Sequence, residues 1–442
     1  MLTPRGGPRL PAHQVTTRHL GGAYPFVAEA GLGPHGVVIG ADLLGGSFAY
    51  DPFELYARSV VSSPNMVVLG QIGRGKSAFV KTYLWRQAVF GRRAWVVDPK
   101  GEYGTLAAAW GVRPVALRPG GPIRLNPLDP GPAGDRVLAD GGDRVGDGQQ
   151  VPGDEGLAES ARRQLSLLFS LATACLGRDL LPRERAAIDV ALVDVVAGDA
   201  VPTLPAVVEA LLAPSDRAAR QVRTERRRLL EDGRDVALEL RRLVHGDLRG
   251  MFDGPTSDGI DLGAPLVVLD LSALYDSPGL GVLMACATAW LQAALARRSA
   301  GAHRGEQVLV VVDEAWAILA NLGVARWLQA SWKLSRAFGV ANVAVLHRLS
   351  DLQAVGAAGS EQVGLAEGLL SDSETRVVYA QPAGEVPRAS ELLSLSPTEC
   401  ELLPQLRRGV ALWKVGRRAF LVQHLLSPLE RELVDTDGAM RA

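Results

Sequence analysis

The sequence predicts an α/β protein with a mainly parallel sheet and a phosphate-binding loop, and three observations lead to this class. Residues 70–77 match the pattern G-x-x-x-x-G-K-[ST] without a mismatch. Short runs of apolar and β-branched residues recur along the chain, and segments with helical spacing separate them. These runs lack a polar face, which indicates strands buried on both sides, as in a parallel sheet covered by helices.

The phosphate-binding loop lies in the context that its chemistry requires. Residues 65–69 before it are typical of a buried strand, and residues 78–88 after it have helical spacing. Such a loop presents backbone N–H groups and the positive end of a helix to a polyphosphate. The residues expected to bind ATP here are Gly70, Gly73, Arg74, Gly75, Lys76, Ser77 and Ala78. We expect Lys76 to contact the terminal phosphates and Ser77 to bind Mg²⁺; the alternative is a chance glycine-rich turn.

A second predicted strand, residues 93–98, ends in a carboxylate. Ligands of an open α/β sheet lie beyond the carboxyl ends of its strands. Asp98, Lys100 and Glu102 are therefore expected to reach the nucleotide or its metal. The alternative is a charged surface turn.

A third apolar run, residues 308–312, is followed directly by two acids. Asp313 at the tip of this strand is expected to bind Mg²⁺ together with Ser77. Glu314 is the candidate general base that polarises the attacking water. The pair favours hydrolysis over kinase-type transfer, and the alternative is again a surface turn.

Three further residues are candidates for catalysis. His347 follows the strand predicted at 342–346 and is placed to contact the γ-phosphate or the attacking water, although a structural histidine is an equal alternative. Arg376 and Arg336 are candidate arginine fingers, which stabilise charge on the transferred phosphoryl group and can come from a neighbouring subunit. On local sequence alone, each arginine is also consistent with a surface ion pair.

The domain organisation follows from changes in composition. A long Gly-, Asp- and Pro-rich loop at 131–156 precedes segments that are helical throughout, and strands resume near residue 265. The predicted parts are a leader with a small β extension (1–60), an ATPase core (61–150 and 251–425), an inserted helical domain (151–250) and a C-terminal tail (426–442). Within the insert, residues 217–244 are predicted as one helix. Its many arginines suggest a surface for DNA or a partner, or, as we favour, a solvated face with ion pairs.

The composition narrows the functional classes. The chain of 442 residues has 47 basic and 48 acidic side chains, so no overall charge favours nucleic acid or a membrane surface. Three cysteines far apart in sequence are typical of a reduced protein without a disulfide framework. No signal peptide is recognisable, and the apolar stretch 279–296 is short for a membrane span. We expect a cytoplasmic protein that can dock at the inner face of the cell membrane through partners.

Motifs in combination add a family resemblance. The stretches are Gly70–Ser77, D-P-K-G-E-Y at 98–103, N-P-L-D at 126–129 and V-V-D-E-A-W at 311–316. Together they resemble the ATPase domain of type IV secretion and conjugation assembly ATPases of the VirB-four/TraC type, within the HerA/FtsK superfamily of pumping motors. The resemblance spans roughly residues 30–425. It implies a RecA-like core with an inserted helical domain, ATP hydrolysis, ring hexamers and membrane-embedded conjugation or secretion partners.

The resemblance also assigns roles and shows two departures. Arg376 resembles a motif arginine proposed to act across the subunit interface. His347 stands where the family usually has glutamine, and only about 60 residues precede the core, where relatives carry a long N-terminal domain. The leading hypothesis is an ATP-hydrolysing motor of conjugation or secretion. The alternatives are a double-stranded DNA translocase of the same superfamily and a nucleotide-dependent scaffold that barely hydrolyses ATP.

Overall fold

A computed structural model describes residues 31–129, 153–198, 201–246, 248–277, 279–300, 305–319, 322–334, 338–347 and 361–435. The predicted leader, most of the predicted loop 131–156 and the candidate finger Arg336 lie outside the described residues.

The described strands form one mixed sheet in the order β2-β1-β11-β10-β9-β3-β8-β7-β4-β6-β5. They are β1 (Val37–Asp42), β2 (Ser47–Tyr50), β3 (Met66–Leu69), β4 (Arg93–Asp98), β5 (Val115–Ala116), β6 (Leu266–Asp270), β7 (Val308–Val312), β8 (Val340–Leu346), β9 (Thr375–Tyr379), β10 (Val410–Val415) and β11 (Arg418–His424).

Helices cover both faces of this sheet. The described α-helices are α1 (Pro52–Ala57), α2 (Lys76–Gln87), α3 (Gly104–Ala109), α4 (Gly153–Leu176), α5 (Pro182–Val196), α6 (Leu204–Leu212), α7 (Asp216–Gln221), α8 (Arg226–Val244), α9 (Leu280–Ala300), α10 (Trp316–Leu319), α11 (Leu322–Leu334), α12 (Glu361–Asp372), α13 (Val386–Leu393), α14 (Pro397–Leu402) and α15 (Pro428–Val434). In the described part of the chain, none of the helices combines the length and apolar character needed to cross a bilayer.

The strands from β9 to β5 run parallel, as their continuous apolar sequences predict. Val68 of β3 pairs with Val345 of β8 on one side and with Val377 of β9 on the other. Because side chains alternate along a strand, Val67 and Leu69 enter the core shared with α4–α9, whereas Val68 enters the core shared with α2. All these strands end at the same edge of the sheet, where the motif residues follow them.

The N-terminal strands extend this sheet instead of forming a separate unit. Gly40 of β1 pairs with His424 of β11, and β11 pairs with β10. The hairpin was expected to end at Leu421, but β11 continues to His424, and these last residues provide the edge on which β1 pairs. The mainly parallel α/β class is confirmed, with antiparallel strands at the N- and C-terminal side.

The helical segment that begins at residue 153 differs from the prediction in two places. Residues 153–156, expected as loop, belong to α4. The single helix expected at 217–244 is interrupted, because Arg223 adopts a positive φ of 55° and ends the turn after α7. The charged face of α8 carries ion pairs within the helix, such as Arg227–Glu231 at 3.5 Å and Arg228–Asp232 at 3.5 Å. These contacts agree with a solvated helix face.

Part of the predicted C-terminal tail is a packed helix. Ser427 caps α15, and Glu430 in its first turn forms a two-point ion pair with Arg86 of α2, with distances of 2.6 and 2.8 Å. Arg86 also donates to the carbonyls of Val38 and Leu425. One arginine therefore joins β1, α2 and α15.

Candidate nucleotide-binding site

The phosphate-binding loop has the backbone shape that its glycines permit. Gly70, Gly73 and Gly75 have φ values of 153°, 76° and 112°, which residues with a Cβ rarely adopt. A Cβ on Gly70 would also lie 2.5 Å from the Cβ of Tyr379, which is closer than two non-bonded carbon atoms can approach. Gly70 is thus required by packing as well as by φ, and Gly73 and Gly75 by φ.

Three neighbouring strands hold the loop in place. The N–H of Gly70 donates to the carbonyl of His347 (3.2 Å), and that of Gln71 donates to the carbonyl of Ala380 (3.2 Å). The N–H of Gly409, which precedes β10, donates to the carbonyl of Arg74 (2.9 Å). The loop is therefore fixed to the ends of β8 and β9 and to the start of β10.

Lys76 begins α2 and is 4% exposed. Its ammonium group donates to the loop carbonyls of Gly70 and Gln71, the second at 3.0 Å. Ser77 and Ala78 follow in the first turn and are half-buried. The side chain expected to contact phosphate thus lies within the concave loop, and the serine hydroxyl lies at the helix start.

The sheet order brings the other predicted residues to this loop. β8 and β7 lie beside β3, and β4 lies beside β7. Asp98, Asp313 and His347 come at the carboxyl ends of these strands, so the structure gathers residues that are far apart in sequence.

Glu314 is held by three donors. His347 Nε2 lies 2.5 Å from Glu314 Oε1, the Lys100 ammonium contacts the same oxygen, and Trp316 Nε1 donates to Oε2 at 2.5 Å. Glu314 is 2% exposed and has a positive φ of 52°. Burial alone would raise the pKa of Glu314, but the hydrogen bonds from His347 and Lys100 lower it to about 2. The carboxylate is therefore ionised and fixed in orientation.

Asp313 differs from its neighbour in its electrostatics. It is 4% exposed, and its Oδ1 accepts from the N–H of Glu314 at 2.9 Å. Burial, followed by the nearby carboxylates of Glu314 and Asp98, raises the pKa of Asp313 to about 7. A cation beside Asp313 would favour its charged form, as expected of a metal ligand.

Asp98 supports the turn that contains Lys100. Its oxygens accept from the N–H groups of Lys100, Gly101, Glu102 and Tyr103, at distances from 2.9 to 3.2 Å. The nucleotide contact expected of Asp98 stays a prediction, because in the structure both oxygens serve this turn. Lys100 reaches Glu314 instead of the loop.

Glu102 lies near a buried lysine that sequence reasoning missed. Lys81 of α2 is 1% exposed, and its Nζ lies 3.9 Å from Glu102 Oε2 and 5.5 Å from the ring centre of Tyr103. A lysine among the apolar positions of α2 was the available signal. Trp316, inside the D-E-A-W stretch, was also given no role from sequence.

Arg376 lies away from the loop of its own chain. It is near the amino end of β9, and its Nε donates to the carbonyls of Leu370 and Ser373, each at 3.1 Å. The loop contacts the opposite end of that strand. A role for Arg376 as a finger therefore requires a neighbouring subunit, and this role stays a prediction.

The residues fit a nucleoside triphosphate with Mg²⁺. A Cβ on Gly73 would meet nothing within 4 Å, so the centre of the loop is open. Ser77 and Asp313 offer the oxygen ligands that Mg²⁺ prefers. His347 Nδ1 is buried and has no hydrogen-bond partner among the described residues, so this ring nitrogen can serve a bound group.

Solved structures share this fold. VirB4 of Thermoanaerobacter pseudethanolicus matches with a TM-score of 0.67 at 22% identity, over 91% of this chain and 100% of that chain. The bacterial conjugative coupling protein TrwB matches with a TM-score of 0.52 at 14% identity, over 92% of this chain and 91% of that chain. TrwB in complex with ADP and Mg²⁺ gives a TM-score of 0.50 at 15% identity, over 82% and 86% of the two chains. No family model matches the sequence, and no curated protein matches it.

These matches define the class of fold. The chain has a RecA-like α/β core of the kind found in VirB4 and TrwB. The resemblance to conjugation ATPases seen in the motifs is thereby confirmed at the level of the fold.

Proposed function

We propose that this chain is an ATP-hydrolysing motor that powers conjugative transfer or type IV-like secretion. The observation that carries the proposal is the placement of the Asp313–Glu314 pair and His347 beside a complete phosphate-binding loop. The similarity of the fold to VirB4 and to the coupling protein TrwB supports the biological setting.

The loop and the first turn of α2 bind the nucleotide. The backbone N–H groups of residues 70–78 and the ammonium of Lys76 bind the phosphates. The hydroxyl of Ser77 and the carboxylate of Asp313 hold Mg²⁺, which neutralises charge on the phosphates when bound. The TrwB structure with ADP and Mg²⁺ supports this choice of ligand.

Hydrolysis uses Glu314 as general base. Its ionised carboxylate accepts a proton from the attacking water. Lys100 and His347 contact Oε1 whereas Trp316 contacts Oε2 alone, so Oε2 keeps an acceptor site for the proton. His347 bonds to Glu314 through Nε2 and to the loop through its carbonyl, so it is suited to sense the γ-phosphate.

The proposed assembly is a ring of six subunits. A ring hexamer would bring Arg376 or Arg336 of one subunit to the nucleotide of the next. The ring would work in the cytoplasm at the inner face of the membrane, through membrane-embedded partners. The predicted division into core and inserted helical domain belongs to the same proposal.

Steady-state release of phosphate from ATP tests the proposal. We expect activity that requires Mg²⁺, rises steeply with protein concentration and is lost in Lys76→Ala but not in Lys333→Ala, a matched change of an exposed lysine. Strong stimulation by double-stranded DNA would favour the DNA translocase. ATP binding without turnover at any concentration would support the scaffold and contradict the motor.

A further inference from the structure

Gln381 is a buried polar residue that the proposed hydrolysis does not use. It follows β9 and is 1% exposed. Neither its Oε1 nor its Nε2 has a hydrogen-bond partner among the described residues. A buried amide without partners carries the full cost of its lost hydration, so its presence calls for an explanation.

The amide belongs to a segment that contacts the phosphate-binding loop. Ala380, the preceding residue, accepts from the N–H of Gln71 at 3.2 Å. Along β9, Val377 and Tyr379 point into the core that contains α2, and Gln381 follows two residues after the end of this strand. A Cβ at Gly75 would lie 3.6 Å from the ring of Tyr379. Gln381 thus directly follows a residue that is hydrogen-bonded to the loop.

The strand order separates two sides of the loop. β8 and β7, which carry His347, Asp313 and Glu314, lie on one side of β3, whereas β9 and β10 lie on the other. The terminal phosphate must lie on the side of the hydrolytic residues. A nucleoside triphosphate is an unbranched chain with its nucleoside at the end opposite the terminal phosphate, so we expect the nucleoside on the β9–β10 side of the loop, where Gln381 and Gly409 lie.

We infer that Gln381 binds the nucleoside of the bound nucleotide, with the base edge as its partner. A glutamine amide offers one donor and one acceptor side by side, a pair that matches the N6 and N7 positions of adenine. The inference rests on the proposed function, because it needs a triphosphate in the loop. It makes Gln381 a residue that adds nucleoside affinity without affecting phosphate binding.

Calorimetric titration with Mg²⁺–ATP and with Mg²⁺–tripolyphosphate separates these contributions. In Gln381→Leu we expect ATP to bind about tenfold more weakly and tripolyphosphate to bind as in the unaltered chain. Gln87→Leu is the matched control: Gln87 is fully buried at the far end of α2, where its Nε2 donates to Tyr83 at 3.0 Å, and this change should alter neither affinity. Gln381→Met serves as a second apolar variant with the same expected result.

Thermal stability gives a second readout. Replacing an amide without partners by an apolar side chain should leave the melting temperature of the ligand-free protein unchanged or higher. A loss of ATP affinity together with unreduced stability would not be expected of a merely structural glutamine. Equal changes in ATP and tripolyphosphate affinity, or no change in either, would overturn the inference. Failure of the proposed function looks different: the unaltered chain would then bind neither ligand better than Lys76→Ala does.

Discussion

His347 Nε2 lies 2.5 Å from Glu314 Oε1, and the same histidine accepts the N–H of Gly70 through its carbonyl. One residue therefore contacts both the general-base candidate and the start of the phosphate-binding loop. A shift of the loop on nucleotide binding is therefore expected to reach Glu314 through this residue.

Substitution of His347 tests that connection. His347→Ala removes one of the donors to Glu314, and we expect kcat for ATP to fall at least about tenfold, because the carboxylate loses its fixed orientation. His347→Gln retains an N–H donor and should keep kcat within about threefold of the unaltered enzyme. Steady-state kinetics measures both. Equal activity of His347→Ala and the unaltered chain would remove the positioning role, and equal loss in both variants would show that an amide cannot replace the ring.

The raised pKa of Asp313 predicts a pH-dependent stability. The folded chain retains this proton up to about pH 7, whereas an unfolded aspartate releases it near pH ~4. The folded state binds more protons between these values, so this group lowers the free energy of unfolding as pH rises. Asp313→Asn removes the effect. We expect its stability relative to the unaltered chain to increase by about 2 kcal/mol or more from pH 5 to pH 8 without Mg²⁺.

Urea unfolding at the two pH values measures this difference. Asp372→Asn is a suitable control, since Asp372 is exposed at the end of α12. A pH-independent difference between Asp313→Asn and the unaltered chain would contradict the electrostatic account of this site.

The Arg86–Glu430 ion pair predicts that α15 stabilises the core. Glu430→Ala leaves a largely buried arginine without its carboxylate, so we expect the free energy of unfolding to fall by about 2–4 kcal/mol. Glu432→Ala, an exposed change in the same helix, should have little effect. Urea unfolding at pH 7 makes the comparison, and equal stability of the two variants would argue against the role of the pair.

The contribution of the Arg86–Glu430 pair to the free energy of unfolding is expected to be lost in acid. Burial alone would raise the pKa of Glu430, but the hydrogen bonds from Arg86 and Ser427 lower it to about 2. Its contribution is therefore present above the unfolded pKa near ~4 and is lost as pH falls towards 2. The difference in stability between Glu430→Ala and the unaltered chain should accordingly shrink in acid.

Local patterns in the sequence predicted local structure well. β3, the loop and α2 follow from adjacent residues, as does the apolar strand β7 before Asp313. These features depend on spacing, on glycine conformations and on apolar runs, all of which are readable within about ten residues.

Long-range partners could not be predicted in the same way. Lys100 and Glu314 are far apart in sequence, and their contact depends on the order of β4, β7 and β8. The packing of Glu430 on Arg86 depends similarly on where α15 returns to the sheet. Gln381 could have been identified as a candidate from the sequence. It is a polar residue directly after a predicted buried strand, and this signal identified Asp98 and His347.

The proposed mechanism has Glu314 activate water while the loop binds ATP, and Glu314→Gln separates these two roles. Equilibrium titration with Mg²⁺–ATP and single-turnover phosphate release would be measured on the same preparation, with Glu391→Gln as an exposed control. We expect binding within about threefold of the unaltered chain, because the loop is unchanged, and phosphate release at least about 100-fold slower, because the proton acceptor is lost. Turnover at the unaltered rate would contradict the role of Glu314 as general base.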